Sequence, residues 1–139
     1  MIPKDLDKAV FRGVISRDQI SLIDRLGYYI VNLNDSTQPG SHWVVIHVRP
    51  GAKPLEYFDS FGMNAPNEVV ELSDTLGVNY IYNSTQYQDL NSVLCGYWCL
   101  YFVNESRKGR SYYEVVVRPF SHTDTQFNER LIIDYFRKI

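Results

Sequence analysis

The sequence contains no apolar run approaching the roughly 18 residues that cross a membrane as a helix. Its opening Met1-Ile2-Pro3-Lys4-Asp5 lacks the basic and apolar regions of a secretory signal. A soluble, intracellular protein is therefore expected. Cysteine is scarce: Cys95 and Cys99 are the only two in 139 residues, which is no disulfide framework. Four residues apart in one apolar run, they would point the same way one helical turn apart, where a bridge needs distorted geometry, so two free thiols are expected. An excess of one charge is also missing. Basic and acidic residues number 14 and 16, net charge is −2, and residues 1–70 and 71–139 each hold 7 basic against 8 acidic side chains. No global field draws such a chain to nucleic acid or to an anionic membrane, so no membrane partner and at most weak nucleic-acid binding are expected. Only Arg107, Lys108 and Arg110 cluster, in a place that suits the charge cap of a helix C-terminus better than a docking site. Repeats and low-complexity tracts are absent, which leaves solenoids and linkers out.

What remains is an ordinary globular composition, 45% hydrophobic and 22% charged, with length for a single domain over 1–139. Aromatics are plentiful at 14%, including 11 Tyr and 7 Phe, enough to fill a core or line a groove. Pro3 to Phe11 carries a weak helical pattern. Ser16-Arg17-Asp18-Gln19 fits a capping box opening a short helix that Gly27 stops. Tyr28 to Leu33 reads as a strand, and Asn34 to Gly40 as a loop. His42 to Val48 is nearly continuously apolar, as a strand covered on both faces should be, and Leu55 to Asp59 returns after the break at 49–54. A turn centred at 50.5 makes His42 and Asp59 cross-strand neighbours. Pro66 to Leu76 reads as a helix ended by Gly77, then Val78 to Tyr82 as a strand. After a polar stretch, Ser92 is positioned to cap an apolar helix fading at Lys108-Gly109, with Cys95 in its first turn. Tyr112 to Val117 is ambiguous, and Asp124 to Lys138 is a capped amphipathic helix.

A thiol at a helix N-terminus faces unpaired N–H groups and the positive end of the helix dipole, both of which favour thiolate. Cys95 has that place and Cys99, one turn deeper, does not. A nucleophilic cysteine needs an imidazole beside it and a carboxylate to orient the ring, and the hairpin supplies His42 with Asp59. The oxyanion formed by attack on a carbonyl needs preset donors, for which the Cys95 N–H and the Gln88 amide are candidates, with Gln86 as the rival amide. His47 and His122 read as core or surface imidazoles. Trp43, on the opposite strand parity from His42, suits a structural role and a substrate wall equally. A zinc site of Cys95, Cys99 and a histidine lacks a second ligand pair and is disfavoured, so no metal or other cofactor is expected.

Three blocks, Gly40-Ser41-His42-Trp43, then Tyr57-Phe58-Asp59-Ser60-Phe61-Gly62, then Gln88-Asp89-Leu90-Asn91-Ser92-Val93-Leu94-Cys95-Gly96-Tyr97-Trp98-Cys99, resemble in order and spacing those of the adenovirus maturation protease family, the adenains. Position 59 is Asp where that family often has Glu, a feature shared with the related ubiquitin-like-modifier proteases. The segment Phe11 to Asp18 is similar to adenain-type proteases of DNA viruses and virus-like DNA transposons. The resemblance implies an α+β, papain-like or adenain-like fold, with a mixed central sheet packed on a central helix that has the nucleophile at its N-terminus. It further implies Cys95 as nucleophile, His42 as base, Asp59 as orienter and Gln88 as oxyanion donor. The implied activity is thiol endopeptidase cleavage of viral structural precursors near Gly during virion maturation, in the host cytoplasm or nucleus and within the virion. An activating peptide is compatible with the resemblance. A thiol-tethered one is not expected, since no thiol is to spare. Rival readings are a protease deconjugating ubiquitin-like modifiers, a Cys-dependent acyltransferase, and an inactive homologue that binds peptides.

Overall fold

The computed structural model describes residues 10–33 and 42–138. The expected helix over Pro3–Phe11, apart from its last two residues, the loop Asn34–Gly40 and Ser41 lie outside them. Phe11, where that helix would end, instead opens strand β1, Phe11–Ser16. A 3-10 helix follows over Arg17–Leu22, its entry closed by the Gln19 side chain accepting from the Ser16 N–H at 2.9 Å. It stops well before Gly27, which opens β2, Gly27–Asn32. Strands β3, Trp43–Val48, and β4, Leu55–Phe58, form the expected hairpin. Helix α1, Asn67–Leu76, ends at Gly77 in the left-handed conformation, φ +69°, and β5 spans Tyr80–Tyr82. Helix α2, Cys95–Ser106, begins three residues later than a Ser92 cap would place it. The Ser92 hydroxyl instead accepts from the Leu94 N–H at 3.1 Å. Tyr113–Val117 is a π-helical turn, and α3, Thr125–Arg137, opens with Asp124 accepting from the Phe127 N–H at 3.0 Å.

The five strands lie in the order β1-β2-β3-β4-β5, the outer pairs parallel and the inner pairs antiparallel. Because side chains alternate across a strand, this sheet divides its apolar residues between two faces. Tyr28, Ile30, Val45 and Phe58 join Trp98 and Phe102 of α2, Val115 and Val116 of the π turn, and Ile132 of α3. On the other face Tyr29, Val31, Val44, Ile46, Leu55 and Tyr57 pack with Ile20 of the 3-10 helix and with Val69 and Leu72 of α1. Cover on both faces explains why β3 is apolar at every position but His47 rather than alternating.

The hairpin register differs from the sequence expectation in an informative way. Val45 pairs with Phe58, Ile46 with Tyr57 and His47 with Glu56, so the chain reverses two residues' worth of pairing later than a turn centred at 50.5 allows. The reversal falls at Gly51, φ +74°, inside the 49–54 break. A shift of two keeps every side chain on its predicted face, whereas a shift of one would have inverted them all. Continued past the ladder, the observed register sets His42 opposite Phe61, and their rings do stack, with centroids 4.9 Å apart.

Candidate active site

His42 precedes β3 and meets Cys95 at the N-terminal turn of α2, and Asp59 follows β4. Asp59 is 1% exposed, and its Oδ1 lies 3.0 Å from His42 Nε2. The approach has the distance of a hydrogen bond without its alignment. The same Oδ1 accepts from the Phe61 N–H at 2.8 Å. Asp59 is further gripped through its backbone by the side chain of Asn83. The Asn83 Oδ1 accepts from the Asp59 N–H at 3.2 Å, and the Asn83 Nδ2 donates to the Asp59 carbonyl at 2.6 Å. Tyr112 completes this brace, its hydroxyl donating to the Tyr57 carbonyl at 2.8 Å and lying 3.1 Å from Asn83 Oδ1.

Cys95 is the first residue of α2 and is buried against His42. Each shifts the other's proton affinity. Burial raises the Cys95 thiol, but His42, then the Trp43 and Gly96 backbones, outweigh it, and the thiol falls below its usual value. Burial likewise disfavours the His42 imidazolium, yet contact with Asp59 and Cys95 raises the ring to about 9. Both shifts run toward the charged forms, thiolate for Cys95 and imidazolium for His42, because each group is the other's partner. Cys99 behaves oppositely: fully enclosed, it is pushed well above the thiol range by burial, with Cys95 and Asp59 adding to the effect. It is a core thiol.

Gln88 is fully buried. Its Nε2 donates to the Ser92 carbonyl at 3.2 Å and its Oε1 accepts from the Ser60 hydroxyl at 2.5 Å. The rival Gln86 is exposed and spends its amide on the Gln88 carbonyl at 3.0 Å. The other histidines stand elsewhere. His47 is buried in a 2.6 Å pair with Glu56 and stacks on Tyr28, whereas His122 is exposed beside Thr85. Trp43 does both things the sequence allowed: it packs against the core under α2 and lines a cleft of about 620 Å³ with Cys95, Gly96, Phe61, Ile30 and Leu100. Among the described residues no three His, Cys, Asp or Glu side chains gather closely enough to hold a metal ion. No helix among them is long and apolar enough to cross a membrane.

Sequence reasoning missed Ser60, Phe61, Asn83 and Tyr112. Ser60 and Phe61 were within reach, since they adjoin Asp59 in the second block. Asn83 and Tyr112 carry no local pattern, and only the fold brings them to Asp59.

No family model matches the chain, and no curated protein matches it. Solved structures do. The chain is similar to the crystal structure of ASFV pS273R protease, with 16% identity over 86% of this chain and 56% of that one and a TM-score of 0.58. Against the selenomethionine form the match has 24% identity over 66% of this chain and 38% of that one, with a TM-score of 0.53. The chain thus corresponds to 38% to 56% of the length of the solved proteins it matches. What is shared is the fold, the α+β papain-like and adenain-like arrangement expected from the sequence, with a mixed sheet packed on a central helix.

Proposed function

We propose that this chain is a cysteine endopeptidase. The observation that carries the reading is the juxtaposition of Cys95, first residue of α2 and on the wall of an open cleft, with His42, whose ring lies 3.0 Å from Asp59; the lowered thiol and raised imidazole agree with it. The Cys95 thiolate attacks the peptide carbonyl carbon, and the resulting oxyanion is met by the Cys95 backbone N–H and the Gln88 amide. On collapse the C–N bond breaks, and His42 gives its proton to the leaving amine. His42 then takes a proton from water as that water attacks the thioester, and Cys95 departs as thiolate. Asp59 keeps the ring turned for both transfers.

The substrate class in this reading is a viral structural precursor cut near Gly, in the infected cell's cytoplasm or nucleus and in the virion. The fold likeness to a viral protease supports that reading, as does the resemblance of the three sequence blocks. An activating peptide is compatible with it, and nucleic acid contributes little in a chain of net charge −2. The test is to digest a Gly-containing peptide library and a panel of ubiquitin-like fusions with the full chain and with Cys95→Ala. Internal cleavage near Gly that vanishes in the variant is expected. Cleavage confined to modifiers' C-terminal Gly-Gly would replace the precursor reading, and hydrolysis surviving Cys95→Ala would end the protease reading.

A further inference from the structure

The oxyanion role proposed for Gln88 has a requirement that Gln88 cannot meet alone. A primary amide has nearly the same shape either way round, but only its NH₂ side stabilises an anion, and its carbonyl side repels one. Two neighbours decide the matter. The Ser92 carbonyl can only accept, so the amide atom 3.2 Å from it is Nε2. Oε1 therefore faces Ser60, whose hydroxyl must donate across the 2.5 Å contact. One Nε2 proton is spent on Ser92, and the second has no acceptor among the described residues. In the proposed mechanism that proton is the one offered to the oxyanion.

We infer that Ser60 is a positioning residue that sets the polarity of the Gln88 amide, an inference that rests on the endopeptidase reading. Ser60 is 1% exposed, and besides the hydroxyl contact its carbonyl accepts from the Tyr87 N–H at 2.9 Å and from the Gln88 N–H at 3.0 Å. It therefore holds both the backbone and the side chain of Gln88. It also follows Asp59 directly, and Asp59 is pinned through its N–H and carbonyl by Asn83. One dipeptide thus orients the imidazole through its first side chain and the amide through its second. Without the hydroxyl, Oε1 is a buried acceptor with no donor, a state costly enough to turn or swing the amide away.

The test is Ser60→Ala in the full chain, assayed with a peptide substrate, with the matching peptide aldehyde, whose adduct with Cys95 carries the oxyanion, and with the cleaved product peptide. We expect kcat to fall about 10- to 100-fold with KM within about twofold, and aldehyde affinity to fall by the same factor as kcat. Affinity for the amine-side product, which carries no carboxylate at the cut, and the rate of Cys95 alkylation by iodoacetamide should not change. Ser60→Thr, which keeps the hydroxyl, should stay within about threefold of wild type, and in a Gln88→Ala background Ser60→Ala should cost less than about twofold more. Should Ser60→Ala fail to fold, Ser60→Cys decides, since a thiol is a poor donor and should lose at least about tenfold in kcat. Wild-type kcat in Ser60→Ala or Ser60→Cys, or an undiminished loss in the Gln88→Ala background, overturns the inference and leaves the protease reading standing. A wild-type protein without Cys95-dependent hydrolysis overturns that reading itself.

Discussion

Cys95 and His42 are held in opposite directions from their ordinary proton affinities by the same contact, and burial opposes both shifts. The thiol starts near 9 and is lowered, while the imidazole starts near 6.5 and is raised to about 9. The contact therefore favours the charged form of each partner, and the imidazolium is lost through about pH 9. In the peptide-hydrolysis reading, kcat/KM should rise with pH as Cys95 gives up its proton and fall through about 9 as His42 gives up its own; both limbs belong to the pair. Asp59 raises the ring directly, whereas burial alone lowers it. In Asp59→Asn the alkaline limb should accordingly move to lower pH by roughly a unit or more, with a lower plateau because the ring is less well held. A pH–rate profile of the variant checks this. A limb still near 9 would mean that another group, not Asp59, supports the imidazolium.

Among the elements, the loop after β4 and the first turn of α2 form the site, and a glycine in each has a different reason to be there. Gly62 has φ +69°, and a Cβ on it would lie 2.5 Å from the Thr85 carbonyl carbon and oxygen and 2.9 Å from the Gln86 nitrogen. Backbone meets backbone there, so the loops of Asp59 and Gln88 can touch only with glycine between them. Gly96, in contrast, is helical, lines the cleft, and would meet nothing within 4 Å if it carried a Cβ. Gly62→Ala should lower stability by roughly 2 kcal/mol or more, from strain and steric conflict. Gly96→Ala should raise stability by about 0.5 to 1 kcal/mol through better helix propensity, yet depress kcat/KM, because the added methyl occupies cleft space beside Cys95. Thermal unfolding paired with turnover separates the two, and a Gly96→Ala enzyme with full activity would show that substrate passes elsewhere. The contrast also marks what the sequence could reveal. Helix α3 with its Asp124 cap, the Gly77 stop of α1 and the buried strand β3 were readable, because caps and hydrophobic period are local. His42, Asp59, Gln88 and Cys95 were readable as a spaced set. The register shift, the late start of α2 and the Asn83 and Tyr112 brace were not, since each is decided by what packs against a loop rather than by the loop's own residues.

At the scale of the molecule, the sheet separates two cores that do different jobs. The layer containing Trp98, Phe102 and Ile132 seats α2, and with it Cys95 at the helix tip. Glu105, buried near the other end of α2, accepts from Lys108 and Arg110 at 2.6 Å each and from the Tyr135 hydroxyl at 2.8 Å, which ties α2 to α3 and to the turn beyond. Lys108 and Arg110 therefore spend their charge on the Glu105 carboxylate, from positions beyond the last turn of α2, which holds no basic residue of its own to act as the expected charge cap. The opposite layer, with Ile20, Val69 and Leu72 under α1, contributes no side chain to the cleft lined by Cys95. Damage there should cost stability without touching the chemistry. Leu72, 3% exposed, is a clean probe: Leu72→Ala leaves a cavity worth about 2 to 5 kcal/mol, or a fall in unfolding temperature of roughly 10 °C in a chain of this size. At temperatures where the variant stays folded, kcat, KM and the position of the alkaline limb should match wild type. The measurement is thermal unfolding beside a full kinetic profile at about 15 °C. A shifted limb or a lower kcat in folded Leu72→Ala would show that the two layers are coupled through β3 and β4, and that the His42–Asp59 contact is held from both sides of the sheet.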